Sequence, residues 1–327
     1  MLDRAQNFCA LEREIIVSHI YYRISQFKEK FLSPVSMDYI TKTILKKIYK
    51  PRPQDSHKYD FGQVLVIGGS QVYSGSPALA ALAALRAGVD LTLVIAPERA
   101  ANIIASFSPD LISFPLKGPN LNPSHLEDLI SLTKKAQKVS QGRMAIVIGG
   151  GLGRGKETQE TVRKYLSKID IPTVVDADAI WAISKKKEIL KGKKFILTPH
   201  SYEFFVLSGK NVSNLSLKEK IKAVKDVAQK LGTVILLKGN IDIISDGKEI
   251  FLNKTGCPEM TVGGTGDTLA GVCGCFLSQG FKPVLAASAA AYLNGKAGEL
   301  AKKNLGPGLL ATDIIKYIPK AIKDGLS

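Results

Sequence analysis

Gln63-Val64-Leu65-Val66-Ile67-Gly68-Gly69-Ser70 is the point at which the character of the chain changes. Four aliphatic residues follow one another without polar alternation and stop at two glycines. A short continuous apolar run closed by glycine reads as a parallel strand buried on both faces. Pro77–Ala87 then reads as an Ala/Leu helix, with Ser76 as its N-cap and Gly88 just past its end. The strand–turn–helix unit recurs downstream. Leu91–Ile95, Ala145–Ile148, Thr173–Val175, Phe195–Leu197 and Val234–Leu237 read as strands, and residues 124–138, 156–167 and 217–231 read as helices between them. Ile241–Ile244 and Glu249–Leu252 flank Asp246-Gly247, a hairpin turn. Strands alternating with helices predict an α/β fold: a mainly parallel central sheet with helices on both faces and a late antiparallel addition.

Upstream the pattern is different. Ile15, Ile16, Ile20, Ile24 and Phe27 suggest one helix and Tyr39–Tyr49 another, ending at Pro51-Arg52-Pro53, which forces extended backbone. Residues 1–55 are therefore read as a short helical N-terminal extension, and residues 56–327 as one α/β domain.

Composition excludes several classes. In 327 residues, 45% are hydrophobic and 23% charged, an ordinary globular balance. No apolar run approaches the roughly 20 residues of a membrane span, and the first residues lack a signal-peptide apolar core, so a cytoplasmic protein is expected. Cys9, Cys257, Cys273 and Cys275 form no CxxC pair, which favours free thiols, mostly buried, over a zinc site or disulfides. The net charge of +16 is spread along helical lysines with no aromatic RNA-binding signature. A basic surface serving small anionic ligands is the economical reading, and no nucleic-acid partner is expected.

The polar and glycine-rich clusters fall directly after the strands, where ligands bind in open α/β sheets. Gly68-Gly69-Ser70 through Ser76 follows the first, Gly149 through Arg154 another, and Asp176-Ala177-Asp178 the next. Thr198-Pro199-His200 with Glu203, and Lys238-Gly239-Asn240, follow two more. Each has a plain reading beside a functional one. Gly149–Gly153 is either a flexible turn or a seat near a phosphate or sugar, the second being favoured. Asp176 and Asp178 are either a turn and cap pair or carboxylates positioning a magnesium–phosphate complex. Glu203 either caps a short helix or acts at the metal. Lys238 either pairs with a phosphate or snorkels. His200, fixed by the preceding Thr-Pro, is expected at the ligand.

Near the C-terminal end, Thr261-Val262-Gly263-Gly264-Thr265-Gly266-Asp267-Thr268-Leu269-Ala270-Gly271 leads into an apolar helix. A helix start offers unpaired N–H groups and a partial positive charge to an anion. Asp267 falls in its first turn, where a carboxylate can take a proton from a substrate hydroxyl while the Gly264–Gly266 amides stabilise transferred charge. There is no GxxxxGK[ST] loop and no GxGxxG fingerprint, so phosphoryl transfer to a small hydroxyl is favoured over dinucleotide redox chemistry.

The late Gly-x-Gly-Asp at a helix start resembles the ribokinase-like superfamily. Gly68-Gly69-Ser70 with Tyr73-Ser74-Gly75-Ser76-Pro77-Ala78-Leu79, Thr198-Pro199-His200 with Glu203-Phe204, Lys238-Gly239, Asn253-Lys254-Thr255-Gly256 and Gly263 through Gly271 together resemble the NAD(P)H-hydrate dehydratases. The resemblance implies a ribokinase-like enzyme that returns the S form of hydrated NADH or NADPH to NAD(P)H. It implies ADP or ATP as co-substrate, ADP being favoured, with Mg2+, through phosphorylation of the ring hydroxyl and expulsion of phosphate. Carried over position by position, it implies that Ser76, Gly151, His200 and Asp267 touch the hydrated dinucleotide, with Asp267 as catalytic base. Lys238, Gly239, Asn240, Ile241 and Asp242, with Gly264, Thr265 and Gly266, are expected at the nucleotide; Asp176 and Glu203 are the candidate metal ligands.

The chain departs from the family pattern at Ser76, where Ala is frequent, at Gly150, where Pro is frequent, at Ser201-Tyr202, where Pro-Gly is frequent, and near Ile241 or Asp242, where Thr is common. A homo-oligomer is expected, as is a functional link to a separate epimerase, since residues 1–55 are too short for that domain. The rival reading is a ribokinase-like kinase of a vitamin precursor or sugar.

Overall fold

Alternate residues of the Gln63–Ile67 strand serve two different cores. Val64 and Val66 pack on one side of a sheet, Leu65 and Ile67 on the other. All five strand residues are buried, which accounts for the run without alternation. The computed structural model describes residues 37–327; the helix read over residues 15–27, and Cys9, lie outside the described residues. Cys273 and Cys275 are buried free thiols and Cys257 is half-buried.

The strands are β1 Met37–Tyr39, β2 Gln63–Ile67, β3 Leu91–Pro97, β4 Ile112–Leu116, β5 Met144–Ile148, β6 Thr173–Val175, β7 Phe195–Leu197, β8 Val234–Leu237, β9 Asp242–Ser245 and β10 Ile250–Asn253. They form one sheet in the order β1-β10-β9-β8-β7-β6-β5-β2-β3-β4. Pairing is parallel from β4 across to β8 and antiparallel between β8, β9 and β10. The helices are α1 Thr43–Ile48, α2 Gly75–Arg86, α3 Glu98–Phe107, α4 Leu126–Val139, α5 Lys156–Lys168, α6 Ala177–Ser184, α7 Ser201–Ser208, α8 Leu217–Leu231, α9 Thr265–Ser278, α10 Pro283–Leu305 and α11 Ala311–Leu326. One sheet face is covered by α1, α2, α3, α9, α10 and α11, the other by α4 to α8. The fold is α/β with a mainly parallel sheet between two helical layers.

Asp38–Ser327 forms one compact unit. Within it α1, from the stretch that composition sets apart, buries Ile44, Leu45 and Ile48 in the first core. Where one helix was expected over Tyr39–Tyr49, the chain makes the end of a short strand and then α1. Sequence periodicity gives no sign of β4. It is an edge strand with Ile112 and Phe114 exposed and Pro115 inside it, a residue tolerated only where a ladder hydrogen bond is dispensable. Also, α2 begins before Ser76: Ser74 holds the N-cap position and makes no side-chain cap, which frees the Ser76 hydroxyl for another partner.

Helix α9 is pressed between the sheet and α2. A Cβ at Gly271 would lie 2.0 Å from the carbonyl oxygen of Ala80 in α2, and one at Gly274 would lie 2.5 Å from Val147 Cγ2 in β5. The backbone of α9 therefore rests directly on both neighbours. Replacing Gly271 by Ala has to push the two helices apart, because the obstructing atom is backbone. Gly271→Ala is expected to destabilise the fold by about 2–3 kcal/mol despite its better helix propensity. Urea unfolding monitored by circular dichroism measures this; a variant as stable as the parent would show that the contact yields freely.

Candidate active site

Strand β2 is followed in sequence by β3 and β4 on one side, and the chain then returns to place β5 on its other side. The two connections leave in opposite directions, opening a crevice above the carboxyl ends of β2 and β5, the usual seat of ligands in such sheets. The Gly68–Ser76 segment and the Gly149–Gly151 turn border this crevice: Gly69 N–H donates to the Gly150 carbonyl at 2.9 Å.

The start of α9 faces the same crevice. Gly264 occupies the N-cap position at φ 96°, a left-handed conformation suited to glycine, and a Cβ there would strike Leu79 and Ala311. The first N–H groups of α9 have no intrahelical acceptor and point out of the helix start. Asp267 lies in this first turn, and its Oδ1 accepts a hydrogen bond from Ser76 Oγ. Burial raises the Asp267 carboxyl, and the charges of Asp176 and Glu203 push it the same way, against the Ser76 hydrogen bond and Lys238; the result is about 6. Such a carboxylate is a competent proton acceptor near neutral pH.

Lys238, at the end of β8, binds the upper ends of the strands together. Its Nζ lies 3.2 Å from Asp176 Oδ1 and 3.8 Å from Glu203 Oε2. Burial works to lower the Lys238 ammonium, but Asp176, Glu203 and Asp267 outweigh it and the net shift is upward, so the charge is kept. Asp176 also accepts from Thr198 Oγ1 at 2.6 Å. The following residue, Ala177, has φ 45°, backbone strain located at the end of β6. Asp178 turns away, accepting from Gly153 N–H and Arg154 Nε, both at 2.8 Å.

His200 is the N-cap of α7. Its Nδ1 accepts from the N–H groups of Tyr202 and Glu203, and Glu203 Oε2 accepts from His200 N–H. Because Nδ1 accepts, the ring of neutral His200 carries its proton on Nε2, which lies 3.5 Å from Glu203 Oε1 and toward solvent. Glu203 is thus both a helix cap and a partner of Lys238. Asp176 and Glu203 are committed to Lys238, Thr198 and His200. Among the described residues, no group of three or more His, Cys, Asp or Glu side chains could hold a metal ion.

A cleft of about 560 Å³ opens on the other side of the α9 start. Of the residues expected at a nucleotide, Lys238, Gly239, Asn240, Asp242, Thr265 and Gly266 line it. Ile241 packs instead against the second core, and Gly264 is covered by Leu79 and Ala311. Gly266 sits close to the lysine: a Cβ there would be 3.3 Å from Lys238 Nζ. Asp242 accepts from Gly239 N–H and Asn253 Nδ2, yet burial dominates and lifts its carboxyl to about 6.

Ser76, Gly150, Asp176 and Asp267 meet around a small recess between α2 and the sheet, with Gly151 against Tyr73 and Ser76. His200 stands apart, joined to this group through Glu203 and Lys238. Sequence reasoning missed the back wall of the cleft, formed by Ala291, Asn294 and Gly295 of α10 and by Met260. Asn294 Oδ1 accepts from Thr268 Oγ1 at 2.8 Å, steadying the first turns of α9. One amide in an alanine-rich buried helix was the available signal.

The raised Asp267 carboxyl has a stability consequence. Its folded value of about 6 exceeds its ordinary 3.8. The folded state therefore binds this proton more tightly than the unfolded chain, and stability is lost as pH rises from about 4 through about 6. Asp267→Asn, which cannot ionise, is expected to be more stable than the parent at pH 8 by about 1–2 kcal/mol, with the gain gone by about pH 4. Urea midpoints at the two pH values test this; equal midpoints at pH 8 would mean that the charged carboxylate sits there without cost.

Against known proteins, residues 64–320 match the family model described as NAD(P)H-hydrate dehydratase. A bifunctional NAD(P)H-hydrate repair enzyme of Pyrobaculum aerophilum is 44% identical over 274 residues, 83% of this chain and 52% of that protein. The chain thus spans about half the length of such bifunctional relatives. An ADP-dependent (S)-NAD(P)H-hydrate dehydratase of Nitrosopumilus maritimus is 37% identical over 87% of this chain and 96% of its own. Among solved structures, the ADP/ATP-dependent NAD(P)H-hydrate dehydratase of Bacillus subtilis, co-crystallised with ATP and Mg2+, is similar with TM-score 0.73 and 27% identity over 89% of this chain and 99% of that one. A ribokinase-like superfamily protein of Enterococcus faecalis is similar with TM-score 0.75 and 29% identity over 88% of this chain and 96% of its own. Matched by the family model over residues 64–320 and by relatives covered almost end to end, the chain belongs to the NAD(P)H-hydrate dehydratase family.

Proposed function

We propose that this protein dehydrates the S form of hydrated NADH or NADPH back to the reduced dinucleotide, at the expense of ADP or ATP. The observation that carries the reading is the position of Asp267. It stands in the first turn of a helix whose first residues, Thr265 and Gly266, line the 560 Å³ cleft, while its carboxylate borders the recess beside Ser76 and Gly150. A phosphate chain in the cleft and a hydroxyl in the recess would meet at this one helix start.

In the first step Asp267 takes the proton of the ring hydroxyl, and the oxygen attacks the terminal phosphorus. The bond from that phosphorus to the bridging oxygen breaks, releasing AMP from ADP or ADP from ATP. The N–H groups of Thr265 and Gly266 and the Lys238 ammonium face the charge that develops on the transferred group. In the second step the ring nitrogen's electron pair expels phosphate, and the neighbouring ring carbon loses a proton to restore the double bond. The balance is hydrate plus ADP giving NAD(P)H, AMP and phosphate. Phosphorylation supplies the leaving group that hydroxide is not. Ser76, Gly151 and His200 border the dinucleotide in this reading; Lys238, Gly239, Asn240, Asp242, Thr265 and Gly266 border the nucleotide, with Ile241 and Gly264 behind them.

Lys238 faces the carboxylates of Asp176, Glu203 and Asp267, with Asp242 close by. Such a site holds more negative than positive charge and cannot neutralise a polyphosphate by itself. Magnesium therefore enters this reading as a counter-ion carried by the nucleotide, held by phosphate oxygens and water, and not as an ion resident on Asp176 or Glu203. ADP is the favoured donor, as the name of the Nitrosopumilus maritimus relative suggests. We place the reaction in the cytoplasm, in a homo-oligomer, fed by an epimerising activity that interconverts the R and S hydrates.

The test is recovery of absorbance at the reduced-nicotinamide band from hydrated NADH with pure ADP or ATP and Mg2+. Turnover is expected with the parent, faster with ADP, and at least about a thousandfold slower in Asp267→Asn, with nucleotide affinity nearly unchanged. The rate of the parent should fall below about pH 6, where Asp267 takes up its proton. A phosphorylated product that accumulates without absorbance recovery would replace the dehydratase with a kinase.

A further inference from the structure

Asp267 is anchored from an unexpected side. The Ser76 hydroxyl, in the first turn of α2, donates to Asp267 Oδ1 across 191 residues of chain. Among the described residues this is the hydrogen bond made by the carboxylate, and it leaves Oδ2 without a protein partner. The hydroxyl has room for a definite reason. A Cβ at Gly150 would come within 2.0 Å of Ser76 Oγ and 2.8 Å of Asp267 Oδ1. Gly150 does not have a positive φ, so its backbone would accept a side chain. What excludes one is the Ser76–Asp267 pair.

We propose that Ser76 is a positioning residue for the base: its hydroxyl, lodged in the space left by Gly150, holds Asp267 Oδ1 and reserves Oδ2 for the substrate proton. The proposal rests on the dehydratase reading for its chemistry, but not for the contact itself. Physically, a hydroxyl donated to one carboxylate oxygen fixes rotation about the Cβ–Cγ bond of the aspartate. It also favours the ionised form, because the carboxylate is the better acceptor. Without it, Asp267 is left facing Asp176 and Glu203, which favour protonation, with only Lys238 opposing them. The three elements that meet here are far apart in sequence, so the contact also ties the entry of α2, the end of β5 and the first turn of α9 into one unit.

Three variants separate this role from mere packing: Ser76→Ala, Gly150→Ala and the double replacement. In Ser76→Ala the acid limb of the kcat/KM profile for hydrated NADH should move upward by up to about one pH unit, while the plateau at high pH drops only about threefold. Gly150→Ala alone should cost about tenfold or more, because its methyl evicts the hydroxyl. Combined with Ser76→Ala it should cost clearly less than it does alone, because only its closer approach, to the hydroxyl, is relieved and the 2.8 Å approach to Asp267 Oδ1 remains; the cycle is then non-additive. A rate loss equal at every pH in Ser76→Ala, or an additive cycle, would overturn the positioning role. Carbon-13 titration of the Asp267 carboxyl in parent and Ser76→Ala provides a readout independent of turnover. A midpoint that rises in the variant supports the contact even if the parent does not act on hydrated NADH, an outcome that would remove the dehydratase reading alone. An unchanged midpoint overturns the proposal whatever the activity.

Discussion

The seat of α9 governs the rest of the structure. Gly271 brings its backbone onto the Ala80 carbonyl of α2, and Gly274 brings it onto Val147 of β5. These contacts leave no freedom in the height of the helix relative to its neighbours. The register has a chemical consequence. Asp267 lies four residues before Gly271, and Ser76 lies four residues before Ala80. Residues four apart share a helix face. One turn above the backbone contact, therefore, the two side chains are brought into hydrogen-bonding range. The close approach of two helices in the core and the placement of a base at the rim are the same fact, seen at two levels of one interface.

Charge organises the second half of the site. A lysine at the end of β8 draws in carboxylates from the end of β6 and from the start of α7. Buried charges are tolerable only when paired, and removing one partner leaves the other uncompensated. Lys238 thus acts first as the counter-ion that permits Asp176 and Glu203 to be present at all. His200 is drawn into the same system through its cap on α7 and its proximity to Glu203. A contact between His200 and a ligand would consequently be felt at Lys238 through one intervening carboxylate.

The parallel strands were readable because burial on both faces demands an unbroken aliphatic run, as in Val64-Leu65-Val66-Ile67. The clusters after those strands stood out because glycines and carboxylates gather at the strand ends, where an open α/β sheet seats its ligands. The edge strand Ile112–Leu116 gave no such signal, since half of it faces solvent and Pro115 interrupts it. Ser76 was read as a cap, which local sequence does favour; its true partner is 191 residues away, and no local rule reaches that far. Asp176 and Glu203 read equally well as metal ligands or as structural carboxylates. What local sequence does not show is Lys238 between them, a position that depends on the order in which β6, β7 and β8 lie side by side.

Small residues on α10 complete the argument about the cleft. A Cβ at Gly295 would lie 2.3 Å from Thr255 Oγ1, and Ala291 carries little more than glycine there. The loop after β10 can therefore lie against α10, while Asn294 reaches past it to Thr268 at the start of α9. Thr255 Oγ1 in turn lies 2.9 Å from Asn253 Oδ1, and Asn253 Nδ2 donates to Asp242. The far wall of the cleft is thus linked by hydrogen bonds to Asp242 at its floor and to the first turn of α9 at its mouth. A ligand that touches Thr255 would meet a side chain tied through Asn253 to the carboxylate that burial has raised to about 6, and directly to the α10 backbone at Tyr292. The alanine-rich helix carries no charged group into the cleft, yet it fixes the distance between the pocket and the proton acceptor.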